Sequence, residues 1–348
     1  MKEKYQIYKI KPNSIRLKEL ANTFNLLPEE LRWFHNIYCP VEDLIESDIQ
    51  PHVENICIPI PGTSIDFYAK KQRSKPFYKA INTLYVPPSF NKKYGIIQRI
   101  TTNDEEISFL HYQIKLQKNT LNNIVIKRYP LYINYQRPDL IIEQIADEIG
   151  SVFYPLELEL YNNAKLKIIA NFPEIQKRWK TKKIQLENYY KGSVAENLFN
   201  KINHQLQYRG QTQRGILDSW FFVLYFVSLY DTFNDQKTYT FNLPLPIFPK
   251  KPKVLYQITL QIEETLSETN KFIIHAKGHC IDNRFATEIE NGKTIHDPEL
   301  IGEKVKGDFA FVYTLNAQDN SVFSIFGTVD LELNNTIRKI SFECYEQI

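Results

Sequence analysis

Tyr8-Lys9-Ile10, Leu20-Ala21-Asn22-Thr23-Phe24-Asn25-Leu26, Pro28-Glu29-Glu30-Leu31 and Ile56-Cys57-Ile58-Pro59 decide how the chain opens. Tyr8-Lys9-Ile10 alternates as a short strand, and Pro12-Asn13-Ser14 turns the chain. Leu17, Leu20, Ala21 and Phe24 recur at three- to four-residue spacing, which predicts a helix with one apolar face. Asn13 or Ser14 is expected to cap it, because a short side-chain oxygen accepts from the free N–H groups of a first turn. Pro28 suits the first position of a second helix, and Glu29 and Glu30 sit where the helix dipole favours negative charge. That helix ends near His35-Asn36, and Ile56-Cys57-Ile58-Pro59 reads as a closing strand.

Strand–helix–helix–strand with these residues resembles the LysM domain. Tyr8-Lys9-Ile10 is similar to its first strand, Leu20-Ala21 with Phe24-Asn25-Leu26 to its first helix and exit, and Pro28-Glu29-Glu30-Leu31 with Asn36 to its second helix and following asparagine. The family's Gly-Asp-Ser/Thr turn is here Pro12-Asn13-Ser14, its Pro-Gly-Gln is Pro51-His52-Val53, and the loop at 37–48 is longer than usual. In the family these two turns wall a groove for N-acetylglucosamine chains. The resemblance therefore assigns a ligand groove to Asn13, Ser14, Pro51 and His52.

The 348 residues suffice for two domains, and 43% hydrophobic with 24% charged content is globular. Gly is scarce at 11 while Tyr and Phe reach 22 each, which suits aromatic-rich sheets better than a glycine-looped nucleotide enzyme. A net charge of +3 is too small for a nucleic-acid or membrane footprint. Cys39, Cys57, Cys280 and Cys344 form no Cys-x-x-Cys pair and read as buried thiols of a reducing compartment. The start of the chain shows no charged-then-apolar signal segment. The apolar run at 220–230 falls short of the ~20 residues a membrane span needs. A cytoplasmic location is expected.

Three regions follow: the LysM-like unit at 1–60, a basic linker at 61–95, and an α+β domain at 96–348. The linker carries Lys70, Lys71, Arg73, Lys75, Lys79, Lys92 and Lys93 against Asp66. The large domain opens on a strand meander at 95–101, 107–117 and 124–134, with Asp104-Glu105-Glu106 as a turn. In the middle strand Phe109, His111, Gln113 and Lys115 share one face. Asp139 is expected to cap a helix at 140–149 that Gly150 stops. A hairpin over 153–161 and 165–170 turns at Asn162-Asn163.

The period then changes to about 3.6 residues. Helices are expected at 173–190, with Ile175, Trp179, Ile184 and Leu186 inward; at 193–206, with Val194, Leu198 and Ile202 aligned; and at 214–233, apolar all round and so buried. Pro244, Pro246, Pro249 and Pro252 mark an extended crossing. A second meander occupies 253–263, 271–281, 308–315, 322–333 and 337–345. Meander–helices–meander means either two related halves or one sheet interrupted by helices.

Chemistry is sparse. His275 and His279 share a strand face, but their Cα atoms lie ~13 Å apart, too far to share one zinc. No metal and no cofactor is expected. Gly-x-Ser-x-Gly and the phosphate loops are absent. Cys39 beside His35 reads as a core thiol, and Glu157 with Glu159 as the wet face of a hairpin. Lys177, Arg178, Lys180, Lys182 and Lys183 surround Trp179 on one helix, a candidate partner contact.

A LysM-like domain without an export signal looks like those of baseplate, spike or adaptor components in phage-tail-like contractile systems. The variant with Trp33-Phe34-His35-Asn36 and Tyr38-Cys39 is similar to LysM proteins associated with type VI secretion in Bacteroidetes-like bacteria. The expectation is a non-enzymatic adaptor whose partners are other assembly proteins, with no nucleic-acid partner. Two alternatives are a peptidoglycan-binding protein and a hydrolase with its site in the large domain.

Overall fold

The computed structural model describes residues 4–11, 14–65, 75–76, 87, 90–300, 302–334 and 336–347. Most of the expected linker, and Asn13, lie outside them.

The opening unit is β1 (Tyr5–Lys9), α1 (Leu17–Thr23), α2 (Pro28–Tyr38), a 3-10 turn at Val41–Asp43, and β2 (Asn55–Pro59). β1 and β2 pair antiparallel, with Tyr8 opposite Ile56 and Gln6 opposite Ile58. Leu17, Leu20, Ala21, Leu31, Ile45, Val53, Ile56 and Ile58 close a small core beneath the helices. Asn36 holds the long loop: its side chain donates to the Ile45 carbonyl at 2.7 Å and accepts from the Ile45 N–H at 2.9 Å. A buried amide satisfied on both sides fixes backbone that no ladder holds.

The rest is α+β. In chain order it comprises β3 (Lys75–Pro76), β4 (Asn91–Thr102), β5 (Glu105–Lys118), β6 (Ile124–Ile133), α3 (Ile141–Ser151), β7 (Leu156–Leu160) and β8 (Leu166–Ile169). Helices α4 (Phe172–Tyr189), α5 (Ser193–Gln205), α6 (Arg209–Leu217) and α7 (Trp220–Tyr225) follow. Then come β9 (Thr238–Leu245), β10 (Val254–Ile262), β11 (Thr265–Leu266), β12 (Lys271–Cys280), α8 (Ala286–Glu290), β13 (Asp308–Asn316), β14 (Val322–Leu333) and β15 (Thr336–Gln347).

Among the described residues eleven strands form one sheet, ordered β8-β7-β6-β5-β4-β15-β14-β13-β12-β10-β9. All its neighbours are antiparallel. The two meanders are therefore one sheet, because the last strand, β15, pairs with the first, β4. β3 and β11 make a separate two-stranded piece.

The sheet is covered on one face by the helices. Ile96, Ile114, Leu116, Ile258, Ile274, Phe311 and Phe342 meet Ile175, Trp179, Phe199, Phe221 and Leu224 in one large core. Three tyrosine hydroxyls buried there find partners: Tyr94 donates to the Val322 carbonyl at 2.6 Å, Tyr225 to Tyr94 at 3.1 Å, and Tyr313 to the Leu224 carbonyl at 3.2 Å.

Several boundaries differ from the sequence reading. The helix expected at 214–233 is two short ones broken at Asp218-Ser219, where Ser219 is extended. Its apolar surround reflects a chain threaded through the core rather than one long buried helix. Gly150 lies inside α3, and Leu140, not Asp139, precedes that helix as its cap. The turn after β4 is Asn103-Asp104, both with positive φ, and Glu105 and Glu106 belong to β5. Such a two-residue turn matches the twist of the flanking strands. In the β7–β8 turn the left-handed residue is Ala164. Ile184 and Val194 are exposed, whereas Ala195 and Phe199 face the core. Pro244 sits in β9, an edge strand where the missing N–H costs nothing. No helix among the described residues is long and apolar enough to cross a membrane.

Candidate functional site

The unit of β1, α1, α2 and β2 docks on the sheet face opposite the helices. Trp33 is fully buried and meets Tyr345 edge-on at 4.7 Å between ring centroids. Trp33, Phe34, Ile37 and Leu44 join Ile97, Phe109, Phe323 and Tyr345 in a second core. Arg32 crosses this junction. Its Nη1 donates to Glu343 Oε2 at 2.7 Å and to the Tyr345 hydroxyl at 3.2 Å. Both side chains of the ion pair are nearly buried, at 8% and 11% exposure. Burial pushes the Glu343 carboxyl above its ordinary value, and the Arg32 guanidinium pulls it back. Arg99 Nη2 bonds Glu46 at 2.8 Å, and Gln347 Nε2 donates to the Cys39 carbonyl at 3.2 Å.

Local periodicity explains why one strand serves both layers. In β15, Phe342 and Cys344 face the helices while Glu343 and Tyr345 face the docked unit. In β5, Ile114 and Leu116 face the helices while Phe109 faces α2, and a register shift against β6 lies between Tyr112 and Ile114. Period-two alternation with both faces covered gives a strand buried on both sides.

The docked unit carries a cleft of about 550 Å³ between its β1–α1 and α2–β2 connections. Ser14, Ile15, Arg16 and Glu19 form one wall, Asp48 and Ile49 the other. Ser14, Arg16 and Glu19 are exposed. Asp48 ties the walls together, since its Oδ1 accepts from Leu17 N–H at 2.7 Å and from Ile49 N–H at 2.8 Å. The acceptor for Leu17 N–H in the first turn of α1 is thus a carboxylate from the opposite loop, not the expected Ser14. Glu19 accepts from Arg16 N–H at 3.3 Å. Replacing Asp48 with alanine leaves Leu17 N–H without this acceptor. It is expected to cost about 1–2 kcal/mol, read as a lowered thermal midpoint and faster exchange of the Leu17 amide.

Of the four groove residues the resemblance assigns, Ser14 lines this cleft. Pro51 and His52 are exposed and are not part of its lining. His52 Nε2 instead lies 2.8 Å from the Glu42 carbonyl, turned toward the 3-10 turn. Asn13 lies outside the described residues. Arg16, Glu19, Asp48 and Ile49 escaped the sequence reading. Asp48 had one legible sign, an acid in the loop that the family shape would bring against the start of the first helix.

The basic row on α4 is divided among structural tasks. Trp179 is buried at 2% exposure, with its indole N–H 3.4 Å from Asn203 Oδ1. Arg178 is committed to loop carbonyls, its Nε donating to Val152 at 2.7 Å and Nη2 to Pro155 at 3.1 Å. Lys182 pairs with Glu148, and Lys183 with Glu187 at 3.1 Å. Lys177 and Lys180 stay exposed. The continuous basic face expected from sequence is therefore replaced by two open lysines.

The histidines and carboxylates are held apart. His275 bonds Glu263 at 2.7 Å, and Glu159 pairs with Lys167. Glu288 accepts from His296, from Phe285 N–H and from Asp297 N–H, which holds its carboxyl at about 2 and orders the loop after β12. Burial raises the thiols of Cys39 and Cys344 well above the ordinary value and pushes Cys57 and Cys280 to about 11, so all four are thiols at neutral pH.

No family model matches the chain, and no curated protein matches it. The solved structures that match include one described as lipid–protein interactions in lipovitellin, at 10% identity with a TM-score of 0.42. The alignment covers 76% of this chain and 26% of that one, and a likeness this distant carries no argument about function.

Proposed function

We propose that the chain is a non-catalytic binding and assembly protein that presents a LysM-like recognition unit on a broad sheet. The observation that carries this reading is the mount. The unit is locked to the sheet through Trp33 and the Arg32–Glu343 pair, while the cleft between its two loops stays open. A module fixed this way meets a partner in one orientation, which lowers the ordering cost of binding. The antiparallel β1–β2 pair around two helices supports the LysM-like reading. The partners it fits are other components of a type VI or phage-tail-like contractile assembly.

The test is sedimentation of the full chain with purified spike, hub and baseplate subunits at low salt. Co-migration that Ser14→Tyr abolishes supports the proposal. Absence of co-migration with every subunit removes it. A second reading, binding of peptidoglycan glycan chains, is favoured by the polar lining of the cleft with Ser14, Arg16 and Glu19. Pull-down on purified sacculi separates the two.

A further inference from the structure

A second cleft, of about 590 Å³, opens far along the chain from the first. It lies where the α6–α7 junction and the β9–β10 connection meet the end of β4. Its size is that of small-molecule sites, which are mostly apolar with a few polar groups that fix orientation. Its lining has the same division. Ile100, Trp220, Ile247 and Phe248 supply apolar surface. Arg214, Lys250 and Lys251 supply exposed cationic groups.

The charge is not cancelled from within. Asp218 is the acid of the lining, and Lys253 already pairs with it at 2.6 Å. Lys251 Nζ donates to the Glu290 carbonyl at 2.9 Å, which positions the ammonium without neutralising it. The apolar wall is fixed too: Arg338 donates to the Ile247 carbonyl at 3.0 Å and lies over the Phe248 ring at 5.0 Å. Pre-formed apolar surface beside excess positive charge disfavours cations and gives a ligand with an apolar body and an anionic head an advantage over its neutral analogue.

We propose that this cleft binds a small amphipathic anion, with a carboxylate or phosphate monoester head at Arg214, Lys250 and Lys251 and an aromatic or short aliphatic body against Trp220 and Phe248. This goes beyond the partner-binding reading and stands or falls separately from it, because the two clefts share no residue.

Trp220 supplies the readout, since its ring, though largely buried, lines the cleft, while Trp33 and Trp179 lie in other parts of the core. The full chain is titrated with octanoate, hexyl phosphate and, for comparison, octanol, following tryptophan fluorescence and heat. The expected result is saturable binding of both anions, with octanol at least tenfold weaker. Arg214→Gln with Lys250→Gln weakens the anions at least tenfold without shifting the thermal midpoint, and Trp220→Phe removes the fluorescence change but keeps the heat. Two results overturn the proposal: octanol binding as tightly as octanoate, or no saturable heat from either anion up to roughly 10 mM, beyond the millimolar range of weak specific binding. Should the double variant melt early, Lys251→Gln takes its place, and unchanged anion affinity in that variant overturns the assignment of the head group.

Discussion

Arg32→Met lowers stability by about 3–5 kcal/mol, because breaking a buried ion pair strands the remaining charge. The stranded group is Glu343, on a strand buried on both faces, and Arg32 Nη1 also donates to the Tyr345 hydroxyl. The loss is expected to be local first. Trp33 and Phe34 leave the sheet, and limited proteolysis cuts within 39–54 before the main domain yields. Chemical denaturation then shows an early transition separate from the sheet. Arg32→Met combined with Glu343→Leu restores most of the stability, since an apolar pair of similar volume avoids the desolvation of both charges.

The pH dependence supplies an internal check. Glu343 already has a raised native value, so its protonated form favours the fold; stability tied to it is present at low pH and declines as pH rises. Without Arg32 that shift grows. The difference between wild type and Arg32→Met should therefore shrink as pH falls from 8 toward 5. An equal difference at both ends would mean that lost packing, not the stranded carboxylate, causes the effect.

Acid weakens the same junction through two histidines. His35 and His111 are fully buried and both are pushed down from 6.5 to about 4, with desolvation as the main cause. The unfolded chain takes up these protons below its ordinary histidine value, and the folded chain only near 4. Stability is thus complete above about pH 6.5 and is lost as pH falls toward 4, on the order of 3 kcal/mol for each ring. The two differ in how they sit. His35 donates from Nε2 to the Asp43 carbonyl at 2.9 Å and accepts the Cys57 N–H at Nδ1, so it joins the loop to β2. His111 stacks on Tyr132 at 4.8 Å and 4°, and neither ring nitrogen has a hydrogen-bond partner among the described residues. His111→Phe keeps the stack and removes two unsatisfied nitrogens. It should leave stability at pH 7 equal or higher, and it should flatten the fall between pH 6.5 and 4 by about half. Unfolding midpoints measured across that range decide the matter; an unchanged slope would place the acid response elsewhere.

Much of this molecule is legible without coordinates, and the reason is local. The strands of both meanders and the helices around Trp179 follow from periods of two and of about 3.6, because burial on one face imposes the period on the residues themselves. Asn36, Pro28 and the apolar face of α1 act within a few turns of chain, so the opening βααβ order could be read directly. The break at Asp218-Ser219 could not, since an apolar surround looks the same for one buried helix and for two short pieces threaded through a core.

The long-range choices belong to the tertiary structure alone. Strand pairing uses backbone groups that every residue carries, so nothing within β15 names β4 as its neighbour; that pairing emerges only when the two meanders share one core. Arg32 and Glu343 lie 311 positions apart. Each looks like an ordinary surface charge until α2 is laid against the sheet and water is excluded from between them. The amino-acid order by itself settled most of the elements, but not the buried faces at Ile184 and Val194 or the break at Asp218-Ser219. Three-dimensional packing settled which faces meet, which charges are hidden, and where the clefts at Ser14 and at Trp220 open.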